Sequence, residues 1–390
     1  MRFFVILLSC ALACAVPGIR SAAAQGAAPA SADSSVAPDS SAAAALAPAP
    51  EAAPVSETPI AAPPGNASIS NPATSVIGWF QAAAGDDRRT QENAFDLREA
   101  ELALQSAVDP YAKADFILSF SSAGVDVEEG YLTWLSLPLS GQAKIGKFRA
   151  DFGKFNRTHA GETPFADRPL STLAFGGEEG LSTTGLSLSA IVPTKFYWDA
   201  TLNVGTAPAQ GENSVFAADN GQDLLWVGRT SAFVDLSEAS NLNLGVSYAN
   251  ARADSLLRDE GEHAQLAGAD VTFRWKNPRR SIYRSLMVQS EYTREQGSAS
   301  GGPTRDGWFG YALYQFARRW KVGARYDSTD RTTDTGRETG VLGLIQFQPS
   351  EFSTMSLQAR RIHDTLTDTD GDAVFLKWTF NIGPHGAHPY

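Results

Sequence analysis

From residue 71 onward, apolar and polar side chains alternate one by one. In residues 196–205 Phe196, Trp198, Ala200, Leu202 and Val204 share one phase, while Tyr197, Asp199, Thr201 and Asn203 share the other. Residues 241–249 and 373–383 repeat the pattern. A period of two sends successive side chains to opposite faces of a strand, so each segment predicts a strand with one apolar and one polar face. About sixteen such segments follow one another, at 75–84, 94–107, 111–120, 127–137, 142–150, 183–192, 196–205, 223–234, 241–249, 264–276, 281–294, 306–317, 320–327, 338–348, 352–362 and 373–383. Most have about the 9–11 residues that a tilted strand needs to cross a bilayer.

The connections sort into two kinds. Every second one is a short turn, such as Asp109-Pro110, Asn277-Pro278-Arg279-Arg280 or Pro349-Ser350-Glu351, and those between are mostly longer and polar, such as 206–222, 250–263, 295–305, 328–337 and 363–372. Short turns on one side, long loops on the other and an even strand number predict an all-β fold, a transmembrane antiparallel β-barrel. Closure also removes the free strand edges that hydrocarbon cannot hydrogen-bond. Aromatic residues on the apolar phase agree. Phe196, Trp198, Trp275, Phe316, Trp320, Phe347 and Phe380 fall near the short turns, and Phe120, Tyr248, Tyr292, Trp308 and Tyr326 near the long loops, as two interfacial belts would. Arg98 and Arg284 are the exceptions, both on the lipid-facing phase but near strand ends. In 127–137 and 142–150 the phase is ambiguous.

The first seventy residues read differently. Met1-Arg2, the apolar stretch 3–16 and Ala22-Ala23-Ala24 predict a signal peptide over 1–24, which would remove Cys10 and Cys14, the two cysteines of the 390-residue chain. Residues 25–70, rich in Ala, Pro and Ser, read as a disordered tether, leaving 71–390 as the barrel. The net charge is −11. Arg2 and Arg20 against four acids account for −2 in residues 1–70, so the barrel carries −9, which argues against a nucleic-acid partner.

The polar phase carries Lys113, Asp115, Arg229, Arg274, Lys321, Arg325 and Lys377, together with Asp199, Asp270, Lys276 and Glu291. Charges of both signs on one wall imply a wetted lumen and hence a channel for small hydrophilic solutes or ions. The longest connection, 151–182, follows the fifth strand, and loops of such length are commonly functional. Folded into the bore, its Asp151, Lys154, Arg157, His159, Glu162, Asp167 and Arg168, with Arg149 beside them, would form a constriction that screens by charge and size. A solvated outer loop is the other reading. Among enzymes, a barrel hydrolase would need a Ser–His pair. His159, His263 and His363 lie in or beside loops with no serine motif, so no enzyme is expected. No cofactor is expected either.

The stretches 108–120 and 127–138, and above all GKFRADFGKFNRTHAGETPFADRPL at 146–170, resemble proteobacterial outer-membrane proteins related to phosphate-selective porins. In that family a G-K-F/Y-x-x-x-F-G motif leads into the third loop, matched by Gly146, Lys147, Phe148, Phe152 and Gly153. The resemblance implies a passive pore in the bacterial outer membrane, with lipid and the barrel-assembly machinery as partners and a homotrimer as one assembly. The chain lacks a dense Lys/Arg ladder, which speaks against phosphate selectivity. The ending GPHGAHPY at 383–390 resembles a subgroup closing in His-Gly-Ala-His-Pro-aromatic, some of which carry a zinc-regulated receptor label. His385 and His388 could supply two imidazoles to a metal, but two ligands do not make a site, and a periplasmic tail with an assembly role is the preferred reading. A metal-associated receptor and a structural barrel with a filled lumen are the alternative functions.

Overall fold

Sixteen strands pair in chain order, each antiparallel to its neighbours, and the first closes onto the last. In this computed structural model they are β1 Ala73–Gly85, β2 Phe95–Asp109, β3 Ala112–Ser121, β4 Gly124–Leu137, β5 Gly141–Arg149, β6 Ser182–Ile191, β7 Tyr197–Thr206 and β8 Leu224–Ser237. The second half comprises β9 Ser240–Arg252, β10 His263–Lys276, β11 Ser285–Gln296, β12 Arg305–Ala317, β13 Trp320–Asp330, β14 Arg337–Ser350, β15 Ser353–Asp364 and β16 Thr369–Ile382. The structure describes residues 72–87, 93–122, 124–208, 215–216, 223–253, 263–296, 304–331 and 336–383. The signal peptide, the tether, His385 and His388 lie outside the described residues.

Alternation sets the wall. In β16 Val374, Leu376 and Trp378 face outward, while Ala373, Phe375 and Lys377 are buried on the inner face. Closure pairs Phe80 of β1 with Trp378 of β16, and the Phe80 and Phe380 rings stack outside at 5.9 Å. Near the short turns Tyr111 stacks on Trp134 and Trp320 lies 4.7 Å from Phe347; at the other end Trp308 lies 5.2 Å from Tyr326. These contacts populate both aromatic belts.

Three expectations about the strands need correction. Residues 281–284 are not strand. The Asn277 side chain accepts from the N–H groups of Arg279 and Arg280, both at 3.0 Å, so a turn continues to Ser285 and Arg284 lies in it. Arg98 does not face lipid. A β-bulge sets it as the extra residue opposite Trp79 and Phe80, and it turns inward, 5.8 Å from the centre of the buried Trp79 ring and paired with Asp96. Residues 363–372 are not a long loop, because β15 and β16 run on as a hairpin tied by Arg361–Asp372 and His363–Asp370 pairs.

The ambiguous phase of β4 has the same origin as that of Arg98. Its pairing with β3 shifts between Ile117 and Leu118, leaving Glu128 as an extra residue. Glu128 and Glu129 are consequently both buried inside the wall. A bulge here points two carboxylates at one place.

Candidate functional site

Residues 150–181 fold into the barrel and cross to the opposite wall. Gly153 makes the entry turn with φ +65°, a left-handed conformation suited to glycine. Its N–H donates to Ser247 Oγ of β9 at 3.0 Å, and the N–H groups of Lys154 and Phe155 donate to Glu291 of β11 at 3.1 and 2.6 Å. Asn156 closes the neck of the loop, donating to the carbonyls of Ala150 and Leu181, both at 2.8 Å, and accepting from the Leu181 N–H at 2.7 Å. A short helix, α1 Leu170–Gly176, completes the crossing.

Apolar packing seats it. Phe155 and Phe165 are buried against Phe309, Tyr311 and Leu313 of β12 and Leu342 and Leu344 of β14. Phe155 meets Phe309 edge-on at 5.3 Å, and Phe165 meets Tyr311 at 5.1 Å. These wall residues stand on the phase that is polar elsewhere. Greasy side chains on a lumen face are the sequence signal for this landing strip, and reading only for charge overlooks it.

Ion pairs fix the far end. The Asp167 carboxylate accepts from Arg325, Gln358 and Arg360 on β13 and β15, each at 2.7 Å. Burial alone would raise its pKa, but the two guanidinium groups hold it below the usual aspartate value. Arg325 also pairs with Asp327 at 2.8 Å and lies over the Phe165 ring at 4.6 Å. From β16, Lys377 donates to the carbonyls of Ala160, Thr163 and Phe165 at 3.1, 2.9 and 2.9 Å.

On the β2–β5 side, His159 enters a nest of carboxylates. Nδ1 lies 2.8 Å from Glu128 Oε2 and 3.2 Å from Glu101 Oε2, and Nε2 lies 2.9 Å from Glu129 Oε1. Burial and the adjacent Arg149 oppose protonation, yet the Glu101 and Glu128 carboxylates outweigh them and hold the imidazole well above its ordinary pKa. Arg149 bonds Glu128 at 2.6 Å and the carbonyl of Glu179, and Arg168 donates to the carbonyls of Thr158 and Glu179 at 3.2 and 3.4 Å.

The eight loop-level candidates therefore divide. Arg149, His159, Asp167 and Arg168 are buried and hold the loop in place. Asp151, Lys154, Arg157 and Glu162 are partly exposed, with Arg157 3.5 Å from Asp151. All seven wall candidates are on the inner phase. Lys113 pairs with Asp115 at 3.5 Å, Arg229 grips Asp270 at 2.6 and 3.0 Å, and Arg325 and Lys377 bind the loop. Arg274 and Lys321 make no ion pair among the described residues. Below the loop a hollow of about 160 Å³ opens, lined by Glu162, Lys321, Gln346, Glu351 and Lys377 among others. His263 and His363 bond Asn250 and Asp370 at 3.3 and 2.8 Å, away from the loop.

An uncharacterized protein of Aquifex aeolicus is 30% identical over 347 residues, covering 77% of this chain and 71% of that protein. The chain belongs to that protein's family. No protein-family model matches the sequence. Solved outer-membrane structures share the fold at low identity. OprB of Pseudomonas putida superposes with a TM-score of 0.57 at 9% identity, over 80% of this chain and 94% of that one. The anion-selective porin of Comamonas acidovorans gives 0.54 at 11%, over 80% and 100%. A trimer form of the Vibrio cholerae outer membrane protein OmpT gives 0.50 at 11%, over 80% and 100%. The chain thus shares the closed barrel fold of these outer-membrane proteins, with an apolar outer band suited to lipid.

Proposed function

We propose that this barrel is a passive diffusion channel for small hydrophilic solutes, with a modest preference for anions. The observation that carries the reading is the loop folded across a charged bore. It narrows the passage while leaving a specific set of cations without partners. Glu101, Glu128 and Glu129 of β2 and β4 pair with Arg149 and His159, whereas Lys154, Arg274 and Lys321 face no carboxylate at ion-pair distance among the described residues. Unneutralised charge in a confined, low-dielectric passage decides which ions enter. A homotrimer is the assembly that accompanies this reading.

Planar-bilayer recording tests it. Inserted, folded protein is expected to give discrete conductance steps; a folded barrel giving none would defeat the channel. The density of covered ion pairs at loop level favours one other reading, a filled structural barrel, and that same silence would support it.

Charge reversal supplies the finer test. Lys154→Glu with Arg157→Glu is expected to move the reversal potential in a salt gradient toward cations, with a several-fold change in permeability ratio. An unchanged potential would place both residues off the ion path. Burial and the charge of Arg274 push the Lys154 amine down to about 7, against the pull of Asp270. Below that pH the amine is charged and favours anions; above it the charge is lost. The anion preference of the native channel should therefore fall as pH rises through neutrality, and Lys154→Met should flatten the profile.

A further inference from the structure

We propose that Glu101, Glu128 and His159 form a binding site for one divalent transition-metal ion of the zinc type, joining β2, β4 and the inward loop. Three elements distant in sequence bring these side chains together, and all three are buried. Their nearest donor atoms lie within 4.8 Å of one another. Ligand atoms held at about 2.0–2.1 Å from such an ion stand roughly 2.9–3.4 Å apart. The distances from His159 Nδ1 to the two glutamate oxygens, 2.8 and 3.2 Å, match that spacing.

Two further features point to a ligand. Glu101 is 4% exposed, and its Oε2 faces Nδ1 at 3.2 Å as an ion-pair contact with no hydrogen bond to any other group among the described residues. The opposite ring nitrogen of His159 is held by Glu129 Oε1 at 2.9 Å. A carboxylate on the outer nitrogen is the usual means by which a metal-bound imidazole is oriented and made more basic. One nitrogen and two carboxylate oxygens suit zinc or a similar first-row ion better than calcium or magnesium, which prefer oxygen alone.

Arg149 sets the condition for binding. Its Nη2 lies 2.6 Å from Glu128 Oε2 and 3.5 Å from His159 Nδ1, so a second cation requires the guanidinium to swing away. Glu179 offers it a place. That carboxylate is exposed, already 3.5 Å from Arg149, and its carbonyl accepts from the same side chain. The ion takes the position of a proton on Nδ1, adding one positive charge to a nest that holds Glu99, Glu101, Glu128 and Glu129.

The test uses the full chain, folded in detergent and stripped with chelator. Replacing His263, His363, His385 and His388 leaves His159 as the one imidazole among the five histidines. Calorimetry with Zn²⁺ is expected to show one ion per chain in this background, and Co²⁺ to give a visible absorption band. Glu101→Gln and His159→Gln should each abolish the Co²⁺ band, while Glu129→Gln should weaken Zn²⁺ affinity about 10–100-fold. Heat-modifiable migration in gels verifies that each variant is a folded barrel. Absence of binding in the single-imidazole protein, or binding unaltered by Glu101→Gln, would overturn the site. Neither readout depends on whether the barrel conducts.

Discussion

Replacing Asp167 by alanine is expected to free the inward loop from the far wall while the barrel stays closed. The carboxylate is buried and accepts from Arg325, Gln358 and Arg360, each at 2.7 Å. Removing one partner of a buried ion pair costs about 3–5 kcal/mol, because the other charge is left without compensation. The residual Arg325–Asp327 and Arg360–Asp87 pairs, at 2.8 and 3.3 Å, put the cost nearer the lower figure. Limited proteolysis within residues 150–181 should become fast, and single-channel conductance should rise, with heat-modifiable migration retained. A loop as resistant as the native one would show that apolar packing of Phe155 and Phe165 suffices. Acid should act in the same direction. Because the folded carboxyl titrates below its ordinary value of 3.8, its contribution is complete above that pH and disappears as pH falls through the lower folded value. Conductance should therefore be insensitive to this latch between neutrality and mild acid.

Leu376→Arg is expected to block folding into lipid vesicles, although its neighbour Lys377 is a native cation. Leu376 is exposed on the outer face of β16, where an arginine near the bilayer midplane costs about 2–4 kcal/mol. Lys377, one residue on, points inward and is satisfied by three loop carbonyls. The folded fraction after dilution from urea into vesicles, read from heat-modifiable migration, measures the difference. Equal folding of Leu376→Arg and the native chain would contradict the assignment of faces.

How much of this was legible beforehand follows from which solvents the two faces of a strand meet. Where one face meets lipid and the other the bore, the sequence alternates, and all sixteen strands could be read from residues such as Leu242, Leu244 and Val246 against Asn241, Asn243 and Gly245. Above the membrane both faces meet water and alternation stops, so the period of two does not reveal the β15–β16 pairing through His363 and Asp370. Bulges defeat the pattern differently: one extra residue reverses the phase, so a strict period of two puts Arg98 on the lipid side and gives β4 no clear register.

The chain by itself therefore determined the class of fold, the number of crossings, the two aromatic belts and the inward placement of the wall charges, because each depends on a local period or a local composition. Only the tertiary structure decided that residues 150–181 lie inside, that Asp167 meets Arg325 and Arg360, and that Glu101, Glu128 and Glu129 surround His159. Those partners stand up to 193 positions apart. No local rule relates them, and their meeting is set by the curvature of a closed wall that brings β2, β4, β13 and β15 around one loop.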